Sequence, residues 1–207
     1  MNPVKLDKNE VIHMADIMSE AFLQHNNWVK RIPKASKRKK IMNNLFVIMF
    51  NVINEYGYIF EVSQDNQKVG YITYMDPTDT EQISFKRVLK TKSFKYVTRF
   101  LFHLTPKILK SMMDYMSVYN THVINEEKTI HLYSTAIQKE YRGIGLMGKA
   151  LRNSFDYFFN NGYNKVSLET SDESNIVIYQ KLGFKITEVI SKKKQTMYFL
   201  ELESVTG

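Results

Sequence analysis

The stretch His131–Leu151, HLYSTAIQKEYRGIGLMGKAL, sets the tightest limit on what this chain can fold into. Ile130–Ile137 is rich in apolar and β-branched residues and reads as a strand. Gln138-Lys139-Glu140 ends it, and Gly143, Gly145 and Gly148 follow. From there Met147, Leu151, Ser154, Phe155 and Phe158 recur at helical spacing. The glycines leave backbone amides unshielded where that helix begins. Unpaired N–H groups and the helix dipole both favour an anion at such a point, so a phosphate-bearing ligand is expected there.

Gly143-Ile144-Gly145-Leu146-Met147-Gly148 spells G-x-G-x-x-G, and Glu169 follows about 20 residues later, as a dinucleotide fingerprint asks. The context argues against a nicotinamide cofactor. In that fingerprint the first glycine turns directly off the strand, whereas here five polar residues, Gln138 to Arg142, intervene. The unit also lies in the last third of the chain, with too few later βα repeats for a dinucleotide fold.

The segment from Gln138 to Gly145, QKEYRGIG, resembles the acyl-CoA pyrophosphate loop of the GNAT superfamily of N-acetyltransferases, whose pattern is Arg/Gln-x-x-Gly-x-Gly/Ala. Arg142 and Gly145 fit it; Met147 stands where a small residue is expected, with Gly148 directly after it. A second segment, Leu168–Phe184, resembles that family's strand, short helix and terminal Gly-Phe. The likeness covers Ile130 to Phe184, is looser over the first 75 residues and is negligible over residues 79–129. It implies an α/β chain with one domain over residues 1–207. The sheet would be mixed, mostly antiparallel and flanked by helices, with 79–129 a helical insertion before the cofactor strand.

The same resemblance implies a chemistry: transfer of an acetyl group from acetyl-CoA to a primary amine, with CoA as product. The strand Ile130–Ile137 would splay from Lys165–Thr170 to admit the pantetheine arm, which Thr135, Ala136 and Ile137 would hold through their backbone. The amides of Gly143, Ile144, Gly145, Leu146, Met147 and Gly148 would hold the pyrophosphate, and Arg142 would add charge. Tyr179 matches the family's general acid, and a phenol's pKa near 10 lies close to a thiol's; the alternative is a tyrosine merely packed beside the core. Glu169 matches a strand carboxylate that serves as base, directly or through water, or else a salt-bridge partner. Asn175 would orient the short helix and approach the pantetheine, although Asp172 competes for that role.

Composition narrows the partners. The 207 residues carry a formal net charge of +8 and no cysteine. Disulfides and thiolate metal sites are thereby excluded, a reducing cytoplasm fits, and anionic partners are favoured over polycationic acceptors. The five histidines show no metal-ligand spacing, so no metal is expected. MNPVKLDKNE lacks the apolar core of a signal peptide, and no run is long and apolar enough to span a membrane. A small-molecule or peptide amine acceptor is expected and no specific nucleic acid; homodimerisation stays open.

Elsewhere, Asp7-Lys-Asn-Glu10 has capping-box spacing and opens a helix through about Gln24. His25–Trp28 breaks it, and Trp28 reads as a core or lid residue. A second helix runs from about Lys37 to Asn54, and the basic run Lys34 to Lys40 at its start reads as a solvated face. Tyr58–Val62 and Lys68–Met75 form a hairpin around Ser63–Gln67. From Ser84 to Ser111 there are eight basic residues and no acidic one, with apolar residues at mostly helical spacing. Two or three helices packed over one sheet edge, with a solvated basic face, are expected there. A membrane-surface helix or a nucleic-acid contact is the competing reading, with no recognised nucleic-acid motif beside the charge. Phe184–Ile190 and Gln195–Leu202 close the chain as a strand pair, with Lys192–Lys194 protecting the edge. A non-enzymatic module that senses CoA or binds anions or a membrane surface stands as the functional alternative.

Overall fold

The computed structural model describes residues 1–79, 81–91, 93–119, 126–192 and 195–204. The first helix, α1 (Lys8–Phe22), starts where the capping box places it. The Asp7 carboxylate accepts from Asn9 and Glu10 amides at 2.7 and 2.9 Å, and Glu10 returns the bond to the Asp7 amide. His25 then caps a short helix, α2 (Asn26–Arg31), which the sequence reading left as a break. The long α3 (Ala35–Tyr56) passes through Gly57 directly into β1 (Tyr58–Gln64). A two-residue turn at Asp65-Asn66, both with positive φ (51° and 62°), leads into β2 (Gln67–Met75). Asx residues tolerate that region, and it matches the twist of a tight hairpin.

Three helices follow, α4 (Phe85–Lys90), α5 (Phe94–His103) and α6 (Pro106–Tyr119). They differ from expectation in what they cover. Val88, Tyr96, Val97 and Phe100 pack on Ile48 and Val52 of α3, and Ile108 and Met112 pack with Ile32 and Ile41. Ile48, Val52 and Ile41 of α3 give them an apolar seat, and α6 also approaches the edge pair β5–β6. The remaining elements are β3 (Thr129–Ile137), α7 (Leu146–Asn160), β4 (Lys165–Thr170), α8 (Glu173–Lys181), β5 (Lys185–Lys192) and β6 (Gln195–Glu203). Lys193 and Lys194 of the expected edge protection, and Lys92, lie outside the described residues.

The six strands form one sheet in the order β1-β2-β3-β4-β6-β5, antiparallel except for β3 and β4. Alternate side chains fill two cores. Phe60, Ile72, Tyr74, Leu132, Val166 and Leu168 meet Phe155 and Phe158 of α7 on one face. Ile59, Tyr71, Met75 and Ala136 meet α1 and α3 on the other.

One basic residue of the Lys34–Lys40 run departs from the solvated reading. Arg38 is 2% exposed, and its guanidinium donates to the carbonyls of Leu23, Ile32 and Pro33 at 2.6, 2.6 and 2.9 Å. It thereby satisfies carbonyls that α1's end and the α2–α3 link leave without helix partners.

Buried tyrosines set the alkaline limit of this fold. Burial pushes Tyr71 and Tyr179 from 10.0 up to about 12, and raises Tyr74 and Tyr163 as well. The folded chain therefore keeps protons that the unfolded chain loses above about pH 10. Urea unfolding midpoints are expected to hold through about pH 9 and to fall between about pH 10 and 12. A midpoint that stays level across that window contradicts the burial of these phenols.

Candidate active site

β3 and β4 pair only from Thr129–His131 to Lys165–Ser167. Beyond that point β3 stays on β2 as far as Ile137, while β4 stays on β6 as far as Thr170. The two strands therefore part and open the sheet between them. An extra residue in β3 between the partners of Thr73 and Tyr74 bends the strand at this place. Gln138 N–H donates to Val69 O at 2.8 Å, and Tyr71 stands opposite Ala136. Antiparallel ladders alternate inward and outward backbone groups. Ala136 is thus turned into the β2 ladder, and the backbone of Thr135 and Ile137 is turned to the opening. The Thr135 hydroxyl meets the Met147 sulfur at 2.9 Å, and Ile137 O accepts from Arg142 Nε at 3.1 Å.

Three of the five polar residues after β3 form a 3-10 turn, Lys139–Tyr141, flanked by Gln138 and Arg142 and tied back by Tyr141 OH donating to Gln67 at 3.2 Å. This turn is what separates the strand from the glycines, and it carries the chain sideways before α7 begins. Gly143 and Gly145 have φ of +80° and +79°, a region that favours glycine. Gly145 is the N-cap of α7 and supplies no side-chain cap; the first helical bond runs from Lys149 N to Gly145 O at 3.1 Å. The amides of Leu146, Met147 and Gly148 are left without helix partners at a positive dipole end. A Cβ added at Gly143, Gly145 or Gly148 would meet nothing within 4 Å, so the glycines face open space. Met147, the departure from the small-residue pattern, lies against the α7-side core and leaves Gly148 as the open position. Lys149, exposed in the same first turn, adds a cation that the motif reading passed over.

Across the opening, α8 starts at the end of β4. Asp172 caps it, accepting from the Ser174 amide at 3.0 Å and hydroxyl at 2.7 Å. Asn175 sits half-buried in the first turn with Nδ2 3.5 Å from Thr170 Oγ1. The asparagine therefore lies at the opening while the Asp172 carboxylate is spent on the cap. One turn on, the Tyr179 ring packs 5.7 Å from the Phe184 ring. Burial, with a smaller contribution from the Glu169 charge, pushes the phenol up to about 12. Its hydroxyl makes no hydrogen bond among the described residues. Beneath it Tyr74 OH lies 2.6 Å from Ser154 Oγ, whose own proton goes to Leu151 O at 2.8 Å, so Tyr74 is the donor.

Glu169 points to the other face of β4, with His131 and Ser167. Its Oε2 is 2.7 Å from His131 Nε2, and His131 Nδ1 is 3.0 Å from Ser167 Oγ. The Nε2–Oε2 approach is at ion-pair distance but is not aligned as a hydrogen bond, and neither atom has a hydrogen-bond partner among the described residues. The opening joins the two faces, so Tyr179 and Glu169 reach one passage from opposite sides. Over the Glu169 side, Asn27 of α2 donates to Ser171 Oγ at 2.8 Å, and burial holds the His25 imidazole below its usual range. Trp28 packs between two core clusters, with the Arg31 guanidinium 5.9 Å from its ring centre. The His131–Glu169 pair and the α2 contact carried no signal in the sequence, because both depend on which strand ends meet.

The family model described as Acetyltransferase (GNAT) family matches residues 22–184. No curated protein sequence matches significantly. Among solved structures, the chain is similar to a histone acetyltransferase and related acetyltransferase from Corynebacterium glutamicum, with 17% identity, TM-score 0.61, and 100% and 99% of the two chains covered. It is also similar to a ribosomal-protein-alanine N-acetyltransferase from Brucella melitensis, with 10% identity, TM-score 0.55, and 99% and 100% covered. A Bacillus subtilis acetyltransferase in complex with CoA gives 10% identity, TM-score 0.52, and 99% and 97% covered. At these identities the likeness is one of fold.

Proposed function

Because the chain belongs to the GNAT family of acetyltransferases, whose acetyl donor is acetyl-CoA, we propose that it moves the acetyl group to a primary amine of a small molecule or peptide. One observation carries this reading: the uncapped N-terminus of α7 opens onto the gap where β3 and β4 part. Anion-binding amides and a slot through the sheet are what a long pyrophosphate-bearing thioester needs, and the open space at Gly143, Gly145 and Gly148 fits its phosphates.

Bound acetyl-CoA supplies an acetyl thioester. The amides from Gly143 to Gly148 hold the pyrophosphate, with Arg142 and Lys149 adding charge. The outward backbone of Thr135 and Ile137 orients the pantetheine arm, while Ala136 holds β3 to β2. Asn175 steadies the opposite wall. Tyr179, like any phenol, is protonated at neutral pH, and burial moves its pKa further up, so its hydroxyl is able to donate to the departing sulfur. Glu169, positioned by His131, receives the amine's proton directly or through water. The domain reading that goes with this proposal is one unit over residues 1–207 with 79–129 as a helical insertion.

Thermal shift separates this proposal from the dinucleotide alternative. At about 100 times its Kd, a ligand specific to the folded state adds roughly 2.7 kcal/mol, which is about 5–10 °C for a chain of this size. Acetyl-CoA is expected to give a shift of that order and NAD none. An amine panel scored for released thiol then identifies the acceptor. A shift with NAD and none with CoA refutes the proposal.

A further inference from the structure

The basic helical segment was expected to be a solvated face, and solvation does not account for what it exposes. Seven of the thirteen large apolar side chains left exposed among the described residues fall between Phe85 and Met113. Phe85, Phe94 and Phe102 are 71%, 67% and 85% exposed. So many large apolar side chains left exposed within one segment point to an interaction site.

The arrangement repeats in each helix. In α5, Tyr96, Val97 and Phe100 face α3, which turns Phe94, Leu101 and Phe102 outward in one stripe with Thr98 between them. Lys95 and Arg99 border that stripe. In α4, Phe85 and Leu89 stand one turn apart beside Lys86 and Lys90; in α6, Leu109 and Met113 stand one turn apart beside Lys110. Lys90, Lys95, Arg99, Lys107 and Lys110 form no ion pair among the described residues. Arg87 is different: paired with Asp79 and stacked 4.2 Å over Tyr56, it belongs to the fold.

We propose that the outer face of α4, α5 and α6 docks on an anionic lipid surface. Aromatic and aliphatic side chains would enter the headgroup boundary and the lysines and Arg99 would meet lipid phosphates, the pattern of an interfacial amphipathic surface. Charge complementarity selects this occupant. A second copy of the chain in a symmetric contact would set like charges against each other. Nucleic acid would match the charge, and would stack on the phenylalanines, but offers no hydrocarbon to Leu89, Leu101, Leu109 and Met113. No helix of the described residues is long and apolar enough to cross a membrane, so the contact is peripheral.

Flotation of the full chain with phosphatidylcholine vesicles, with and without phosphatidylglycerol, tests the proposal. Binding is expected only with the anionic lipid, and weaker at high salt. Each basic residue at such a surface contributes roughly a five-fold change in partitioning, so Lys95→Gln with Arg99→Gln is expected to weaken binding about 25-fold. Phe94→Ser with Phe102→Ser is expected to abolish flotation. Both variants alter exposed side chains outside the acetyl-CoA site and are expected to keep the acetyl-CoA thermal shift, which shows that they fold. Failure to float with anionic vesicles overturns the proposal. So does tighter binding to a single-stranded oligonucleotide, or a dimer that the Phe94 and Phe102 changes dissociate.

Discussion

Tyr179→Phe is expected to lower kcat by roughly 10²–10⁴, the usual contribution of a positioned general acid. The substitution keeps the ring against Phe184 and removes only the hydroxyl. That hydroxyl has no hydrogen-bond partner among the described residues, so its loss leaves no buried group unpaired and costs little stability. Affinity for acetyl-CoA is expected to stay within a few-fold, since the phosphates are proposed to lie on backbone amides of another element. The wild-type pH profile adds an independent check. Because the phenol is pushed up to about 12, the donor form persists as pH rises, and no alkaline loss of kcat from Tyr179 is expected below about pH 11. Turnover of Tyr179→Phe at the wild-type rate would show a packed residue and leave the leaving sulfur without its donor.

The parts of this argument that were legible in the sequence are those carried by local chemistry. Asp7 and Glu10 announced a helix start, and strand periodicity with a polar turn announced β1 and β2. The glycines after β3 announced the turn into α7, and the structure adds that two of them take positive φ. Arg38 was illegible for a different reason. Its neighbours Lys37, Lys39 and Lys40 carry the same charge, and only the path of the chain from Leu23 to Pro33 brings three carbonyls within its reach. Glu169 needed the parallel register of β3 and β4 before its partner could be found: His131 stands beside Ser167, and Glu169 is the next residue on that face. Likewise the charge of residues 84–111 was plain, but the exposure of its phenylalanines followed from which faces α3 had already taken.

Gly148→Glu is expected to move stability and cofactor affinity in opposite directions. Gly148 lies in the first turn of α7 with ordinary helical φ, and an added Cβ meets nothing within 4 Å. Replacing a helical glycine gains roughly 0.5–1 kcal/mol in propensity, and an acidic side chain at the positive end of the dipole adds roughly 0.3–1 kcal/mol. The chain without ligand is therefore expected to melt about 2–8 °C higher. The same carboxylate stands where the amides are proposed to hold a pyrophosphate. Like charges in such a contact cost several kcal/mol, so acetyl-CoA affinity is expected to fall about 10²-fold or more. Gly148→Gln separates the causes: it keeps the propensity gain and most of the bulk, and it is expected to lose much less affinity. Unfolding rules out neither result, because the stability gain is read on the same sample. A glycine kept against the preference of its own helix is explained if the amides around it serve a ligand. If Gly148→Glu melts higher and still binds acetyl-CoA as wild type does, the N-terminus of α7 is not where the phosphates lie.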